Sequence, residues 1–525
     1  MVSSNLAEKP VLIHRQGQRA KEGSVLDKLA TPELVIALCG PLGTPLHMVA
    51  QKFRQLITKD YGYAQTEIIR LSSFLKEGLP PNPSISALIK EGNRLREKHG
   101  NAYLATLAIQ QIYRARKGEN SSIMSAGKGD ELSTPAIVPT PLVRHCHIID
   151  SIKNGEELRL LRSVYGEMLH VVGVYAPIEK RIETLEGRTS GEAVETLIDR
   201  DSGEEASNGQ QVGETYPQAD FFLRTETGTD AELDAPIKRF LDLLFGAEII
   251  TPTKAERAMY AAYSAARNSA CLSRQVGASI ADEHGTIIAT GWNDVPRPFG
   301  GLYEEIDDRK KDQRCWNHNG GYCFNDAEKD LIAEQMIDLL VKNRVVSKQK
   351  VEQATKLIRQ DTKLKSLIEF SRAVHAEMHA ILNAGATAGA SVKGSTLYVT
   401  TYPCHSCARH LIAAGVREVI FLEPYRKSLA TKLHKDAITE NEDANDRVRL
   451  LPYNGVAPSR FLTFFSSWPS GRKDAETGRR MDRGTPKPVS QRQIEALMTL
   501  ELIAIRELHS EGDAPASAND QGSSP

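Results

Sequence analysis

Three residues that bind borderline metals and one carboxyl group fall into a single pattern: His375-Ala376-Glu377, then Pro403-Cys404-His405-Ser406-Cys407. Zinc takes nitrogen and sulfur ligands in a tetrahedron, and a catalytic zinc has three protein ligands and leaves the fourth position to water. His375, Cys404 and Cys407 supply three ligands. Glu377, two residues from the imidazole, reaches the open position without being a ligand, so the set reads as hydrolytic, with an activated water and a proton carrier beside it. The competing reading is a closed zinc staple in which Glu377 is a surface carboxylate. The absence of an obvious fourth ligand beside the motif favours catalysis.

The elements that must position these residues are legible around them. Residues 395–401 are a β-branched strand pattern running into Pro403, and residues 404–414 are an Ala-, Leu- and Ile-rich helix pattern. Both cysteines then fall in the first helical turn, where spacing i, i+3 puts their sulfurs on one face and the helix dipole favours thiolates. Upstream, Thr253 is placed to cap an amphipathic helix over 254–268. A hairpin follows, with strands near 273–280 and 286–293 and a turn over 282–285. The stiff polar loop 293–298 comes next; its Asn293 is either a sugar or base contact or a plain turn asparagine. Residues 331–370 are charged and helix-prone, with Lys342, Lys348 and Lys350 on a solvated face.

At 525 residues the chain is long enough for two globular units with tails. Residues 1–30 read as a polar arm. Residues 33–39 form an apolar run that ends at Gly40-Pro41-Leu42-Gly43-Thr44-Pro45, and a helical pattern follows over 48–56. Strand, glycine turn and helix is the setting of a phosphate-binding P-loop, which makes Gly40, Gly43 and Thr44 candidate nucleotide contacts. The P-loop lysine is missing, because Thr44, Pro45, Leu46 and His47 occupy that stretch. A nucleotide-sensing or structural kinase-like domain is therefore expected rather than an active kinase. Helical patterns over 85–98, 103–116 and 155–166 alternate with strand patterns over 145–149 and 169–175, predicting a doubly wound α/β domain. His145-Cys146-His147 reads as ordinary strand, since the two imidazoles face one way and the thiol the other. Residues 183–235 are acidic and Gly/Ser/Thr-rich, as lid-like loops are.

The expected organisation is an arm (1–30), a degenerate P-loop kinase-like domain (31–250), an α/β/α hydrolase domain (251–465) and a tail (466–525). The tail carries one helical pattern at 490–509, suited to docking or to an oligomer contact. A formal charge of −1 with 25% charged residues lends no support to nucleic-acid coating. No apolar run reaches the length of a membrane span, and a cytoplasmic protein is expected. Seven cysteines, two of them better used as metal ligands, do not read as a disulfide framework.

Residues 274–280, Gly291-Trp292-Asn293, His375-Ala376-Glu377, residues 397–400 and residues 403–407 together resemble the cytidine/deoxycytidylate deaminase superfamily, in its dCMP deaminase branch. Joined to a P-loop-like half without its lysine, the pattern resembles the bacterial anti-phage dCTP deaminases. The resemblance implies a C-terminal cytidine deaminase-like α/β/α domain with a catalytic zinc on His375, Cys404 and Cys407, and Glu377 as proton carrier. It implies a free deoxycytidine nucleotide as substrate (dCTP to dUTP, dCMP to dUMP), with Arg274 and Asn293 near it, and depletion of dCTP against phage. One departure stands out: the branch continues His-Ala-Glu-x-Asn, and His379 occupies the asparagine place, where it would touch the pocket. A second, structural zinc on Cys271, Cys315, His318 and Cys323 is also implied, the alternative being buried free thiols. Arg426, Lys427, Lys432 and Lys435, soon after the strand pattern 419–422, are triphosphate candidates. A homo-oligomer, a regulatory nucleotide at the P-loop-like half and, in some members, a small RNA antitoxin complete the implied partners. The other readings are a polynucleotide cytosine or adenine deaminase, an RNA-binding regulatory protein, or a housekeeping dCMP deaminase supplying dUMP.

Overall fold

Apolar runs such as Leu34–Cys39, buried along their whole length, belong in the middle of a sheet covered on both faces, because each crossover helix packs over the strands it joins. The computed structural model describes residues 30–117, 144–186, 194–201, 209–225, 229–387, 391–424, 428–466 and 492–512, with Lys473 and Pro488. The arm, most of the tail and the candidates Arg426 and Lys427 lie outside the described residues, as does part of the acidic stretch 183–235.

Two six-stranded sheets dominate. The first is built from β1 (Leu34–Cys39), β2 (Gln65–Arg70), β3 (His145–Ile152), β4 (Leu169–Tyr175) and β5 (Phe221–Arg224), parallel in the order β5-β4-β1-β3-β2. Helix α1 (Leu46–Asp60) covers one face, α2 (Tyr103–Lys117) and α3 (Gly155–Tyr165) the other. The second sheet contains β6 (Gly277–Ala281), β7 (Ile287–Trp292), β8 (Thr396–Thr401), β9 (Glu418–Glu423), β10 (Ile438–Thr439) and β11 (Val448–Pro452), in the order β10-β11-β9-β8-β6-β7. Strands β8 to β11 are parallel, and the β6–β7 hairpin is antiparallel. Helix α4 (Lys254–Ala266) starts at a capping box in which Thr253 and Glu256 satisfy each other's backbone N–H groups. Helices α5 (Ala376–Thr387) and α6 (His405–Ala414) flank β8.

The last part of the chain returns to the first sheet. The short strand β12 (Gly455–Val456) adds antiparallel to β5, and Glu256 accepts the Val456 N–H at 2.9 Å. Helix α7 (Ile494–Gly512) packs on α2 and α3, burying Leu497, Ala504 and Ile505. Of the two roles open to the tail helix, docking is the one described. Among the described residues no helix is long and apolar enough to cross a membrane.

Candidate active site

The site is assembled by two helix N-termini converging at the end of β8. Val374 forms a bridge with Asp294, donating its N–H to Asp294 O at 2.9 Å, so the loop that delivers His375 is fixed just before α5 begins. Helix α5 lies close on β7 because position 291 is glycine: a Cβ there would sit 2.3 Å from Ala380 N and 2.5 Å from Ala376 O. Cys404 is the N-cap of α6, its sulfur accepting from Cys407 N at 3.4 Å. The helix therefore starts one residue later than the sequence pattern placed it, and the first thiol acts as its cap.

His375 Nδ1 lies 3.4 Å from Cys404 Sγ and 3.3 Å from Cys407 Sγ. A tetrahedral zinc with Zn–S near 2.3 Å and Zn–N near 2.05 Å has N···S edges of about 3.6 Å, so the three donors fit the ion with little movement. Hydrogen bonding from Cys407, with help from His375, holds the Cys404 thiol down to about 4, while the hydrogen bond with Cys404 and burial keep Cys407 well above the usual thiol range. Glu377 is 4% exposed, and burial raises its carboxyl above the ordinary range. Burial thus favours the protonated form of the carboxyl, which suits a group that must return a proton as well as take one.

A cavity of about 620 Å³ opens on His375, Glu377 and Cys404. Part of its wall comes from Lys363, Ser366 and Leu367, in the insertion that sequence reading left as a solvated helical stretch. Arg274, Ser366, Tyr402 and Ser428 also line a second cleft, of about 720 Å³, so the two spaces adjoin. That cleft runs between the two halves of the molecule: Pro41 and Arg181 line it from the first, Lys432, Lys435 and Arg447 from the second. Arg274, Lys432 and Lys435 are its members with a signal in the sequence; the cleft as a whole has none, because its walls come from segments hundreds of residues apart.

The other expected residues fare unequally. Arg274 borders both cavities, its guanidinium 3.5 Å from Glu423. Asn293 faces the catalytic cavity, but its amide serves the backbone, accepting from Val276 N at 2.7 Å and donating to Arg274 O at 2.8 Å. It shapes the wall beside Arg274. His379 is a correction: the residue lies on α5 one turn beyond His375, yet its ring accepts the Trp292 N–H at 3.2 Å and stands edge-on to the Trp292 indole. Its Nε2 meets Asn383 at 3.1 Å, so the side chain ties α5 to β7 and does not line the pocket. Of the expected second zinc set, three members line one cavity, but no three of its donor atoms lie within 4.8 Å of one another. Cys271, Cys315 and Cys323 line the catalytic cavity as free thiols, but His318 stacks on Phe324 at 5.7 Å. Among the described residues, sets of three or more ligand-type atoms within 4.8 Å of one another occur at His375/Cys404/Cys407 and at Glu67/His145/His147.

At the glycine turn, Thr44 N donates to Pro41 O at 3.1 Å, Lys153 Nζ to Gly40 O at 2.8 Å and Arg181 Nε to Leu42 O at 2.8 Å. Gly43 adopts φ +87°, and a Cβ there would meet Arg181 O at 2.6 Å. Two cations of the first half thus hold the carbonyls of the turn, and the backbone of Arg181 packs against Gly43.

The family model for the cytidine and deoxycytidylate deaminase zinc-binding region matches residues 252–423. Deoxycytidylate deaminase of enterobacteria phage T4 is 30% identical over 177 residues, covering 33% of this chain and 80% of the phage protein. The enzyme of that name from phage T2 is 29% identical over 180 residues, covering 33% and 82%. Human deoxycytidylate deaminase is 48% identical over 48 residues, 9% of this chain and 25% of the human protein.

Proposed function

The chain belongs to the cytidine and deoxycytidylate deaminase family, and from that premise we propose that it removes the 4-amino group of free deoxycytidine nucleotides, dCTP as well as dCMP, releasing ammonia. The observation that carries this reading is a buried Glu377 beside three donors spaced for zinc.

His375, Cys404 and Cys407 would hold the ion. When bound there, zinc supplies Lewis acidity that lowers the pKa of water towards about 7. Glu377 takes the proton of the attacking water and delivers it to N3 of cytosine as oxygen adds at C4. The same carboxyl then passes the remaining hydroxyl proton to the amine, C4 becomes a carbonyl and ammonia leaves. Its burial keeps it from bulk water, and its raised pKa matches these transfers. Arg274, which lines both cavities, is the proposed contact for the α-phosphate. The adjoining cleft with Lys432 and Lys435 gives a longer phosphate chain somewhere to lie, which supports the triphosphate reading.

The same reading extends to biology. A deaminase joined to a strand–glycine turn–helix half that lacks the phosphate-binding lysine fits a pool-depleting enzyme of phage defence, controlled at its kinase-like half by a nucleotide or by a small RNA, and working as a homo-oligomer in the cytoplasm.

The test is ammonia release by the full chain with dCTP, dCMP, CTP and a cytosine-containing single strand, beside Glu377→Gln and a chelated, zinc-restored sample. Glu377→Gln is expected to keep its zinc and lose about 10⁴-fold or more in kcat, since one carboxyl performs every proton transfer. Turnover of the single strand alone would replace the nucleotide-pool reading with polynucleotide editing. Undiminished turnover in Glu377→Gln would remove the mechanism.

A further inference from the structure

Of the two clusters of ligand-type side chains, one has no part in the reaction above. It lies in the first sheet, where β3 presents His145 and His147 on one face. The parallel register sets Glu67 of the edge strand β2 directly opposite His147. Donor atoms of all three residues fall within 4.8 Å of one another. The two imidazole rings lie 4.4 Å apart and nearly parallel.

Three imidazole nitrogens here have no hydrogen-bond partner in the protein. The His147 side chain is 0% exposed, and its Nδ1 stands 3.8 Å from Glu67 Oε2, too far for a hydrogen bond. Neither ring nitrogen of His147 has a hydrogen-bond partner, and His145 Nδ1 has none either. Buried imidazole nitrogens normally find a partner, so a site that leaves three without one calls for a group it does not contain. Glu67, in contrast, is aimed: Gln111 of α2 donates to its other carboxylate oxygen at 2.5 Å. A carboxylate oriented by an outer amide and facing two imidazoles is the usual arrangement of a metal ligand and its support.

We infer that Glu67, His145 and His147 form a second metal site, taking a divalent first-row transition ion, Zn²⁺ in the first instance, on two imidazoles and one carboxylate. The donor set suits zinc and its neighbours and carries one negative charge against the dication. Glu67 is 36% exposed, so the ion enters from the sheet edge. Its consequence is mechanical: β2 is an edge strand, and the ion would clamp it to β3.

The test uses the full chain, freed of metal and titrated with Co²⁺, whose absorption reports its ligands. In a Cys404→Ser/Cys407→Ser chain, cobalt is expected to bind still, with d–d bands and no thiolate charge-transfer band. In that background His147→Gln should abolish binding. Glu67→Gln, a mild change on the partly exposed edge that leaves an amide for Gln111, should weaken it by about 10-fold or more. Loss of all cobalt binding with the two cysteines overturns the inference. So does residual binding with a thiolate band, which would place the ion on Cys271, Cys315 and Cys323, or residual binding indifferent to Glu67→Gln.

Discussion

Replacing Arg116 by Met should loosen the tail helix from the first half of the molecule, and the cost can be worked from the burial of three charges. The Arg116 side chain on α2 is 1% exposed and pairs with Glu33, just before β1, and with Glu501 on α7, both carboxylates being 0% exposed. Removing one member of such a buried set leaves uncompensated charge and typically costs about 3–5 kcal/mol. The pH dependence gives a second figure. Burial outweighs the attraction of Arg116 and pushes the Glu501 carboxyl up to about 7. An acid whose folded pKa is raised binds more protons folded than unfolded, so wild-type stability falls as pH rises from about 4.5 to about 7 and is level beyond. Without Arg116 the folded pKa climbs further, and the fall continues above pH 7. At pH 8 the wild type already carries about 3.4 kcal/mol of this cost, at 1.36 kcal/mol per unit between about 4.5 and about 7, so keeping Glu501 protonated in the variant adds about 1.4 kcal/mol to the difference, a pH-dependent part of the first figure. Urea unfolding at pH 7 and pH 9, with hydrogen exchange over residues 494–512, measures both effects. Wild type should lose little between the two pH values, and Arg116→Met should lose helix protection and more stability at pH 9. A variant within about 1 kcal/mol of wild type at both pH values, with α7 equally protected, would refute the reasoning.

Three further outcomes follow from the site. Lys432→Ala/Lys435→Ala removes two exposed charges worth about 0.5–1 kcal/mol each to a polyphosphate, so kcat/KM should fall about 5–30-fold for dCTP and less than about threefold for dCMP; equal losses on both substrates would take the phosphate chain out of the cleft. His379→Asn should leave KM for the nucleotide within about threefold of wild type while lowering stability by about 1–2 kcal/mol through the lost Trp292 and Asn383 contacts. A large KM change with unaltered stability would return His379 to the pocket. Gly291→Ala drives a methyl into the backbone of α5 and should cost about 1–3 kcal/mol, seen as a lower Tm together with reduced activity; an unchanged Tm would contradict the close approach.

The catalytic set was legible because its chemistry is local. His375 and Glu377 are two residues apart, Cys404 and Cys407 are one helical turn apart, and both pairs sit at helix starts whose capping and periodicity are written in the adjoining residues. The parallel strands of the first sheet were legible for the same reason, since a strand buried on both faces is a continuous apolar run. His379 shows the limit of this reasoning. Helical spacing placed it on the face of His375, but which neighbour its ring meets depends on how closely β7 approaches, and Gly291 sets that distance.

By itself, then, the sequence located the candidate ligand set, the carboxyl proposed as proton carrier and the strand and helix alternation, all of which depend on interactions within a few residues. Only the tertiary structure decided what lies beside what. The register of β2 against β3 turned an apparently ordinary His-Cys-His strand into a three-donor cluster with Glu67. The return of β12 to β5 and of α7 to α2 bound the later part of the chain to the first half, through the Val456–Phe221 pairing and the Arg116–Glu501 ion pair. The cleft that meets the catalytic cavity took Pro41 and Arg181 from one half and Lys432 and Lys435 from the other. Such pairings are chosen by long-range burial and charge compensation, whose partners are from 80 to several hundred residues apart, and no local spacing records them.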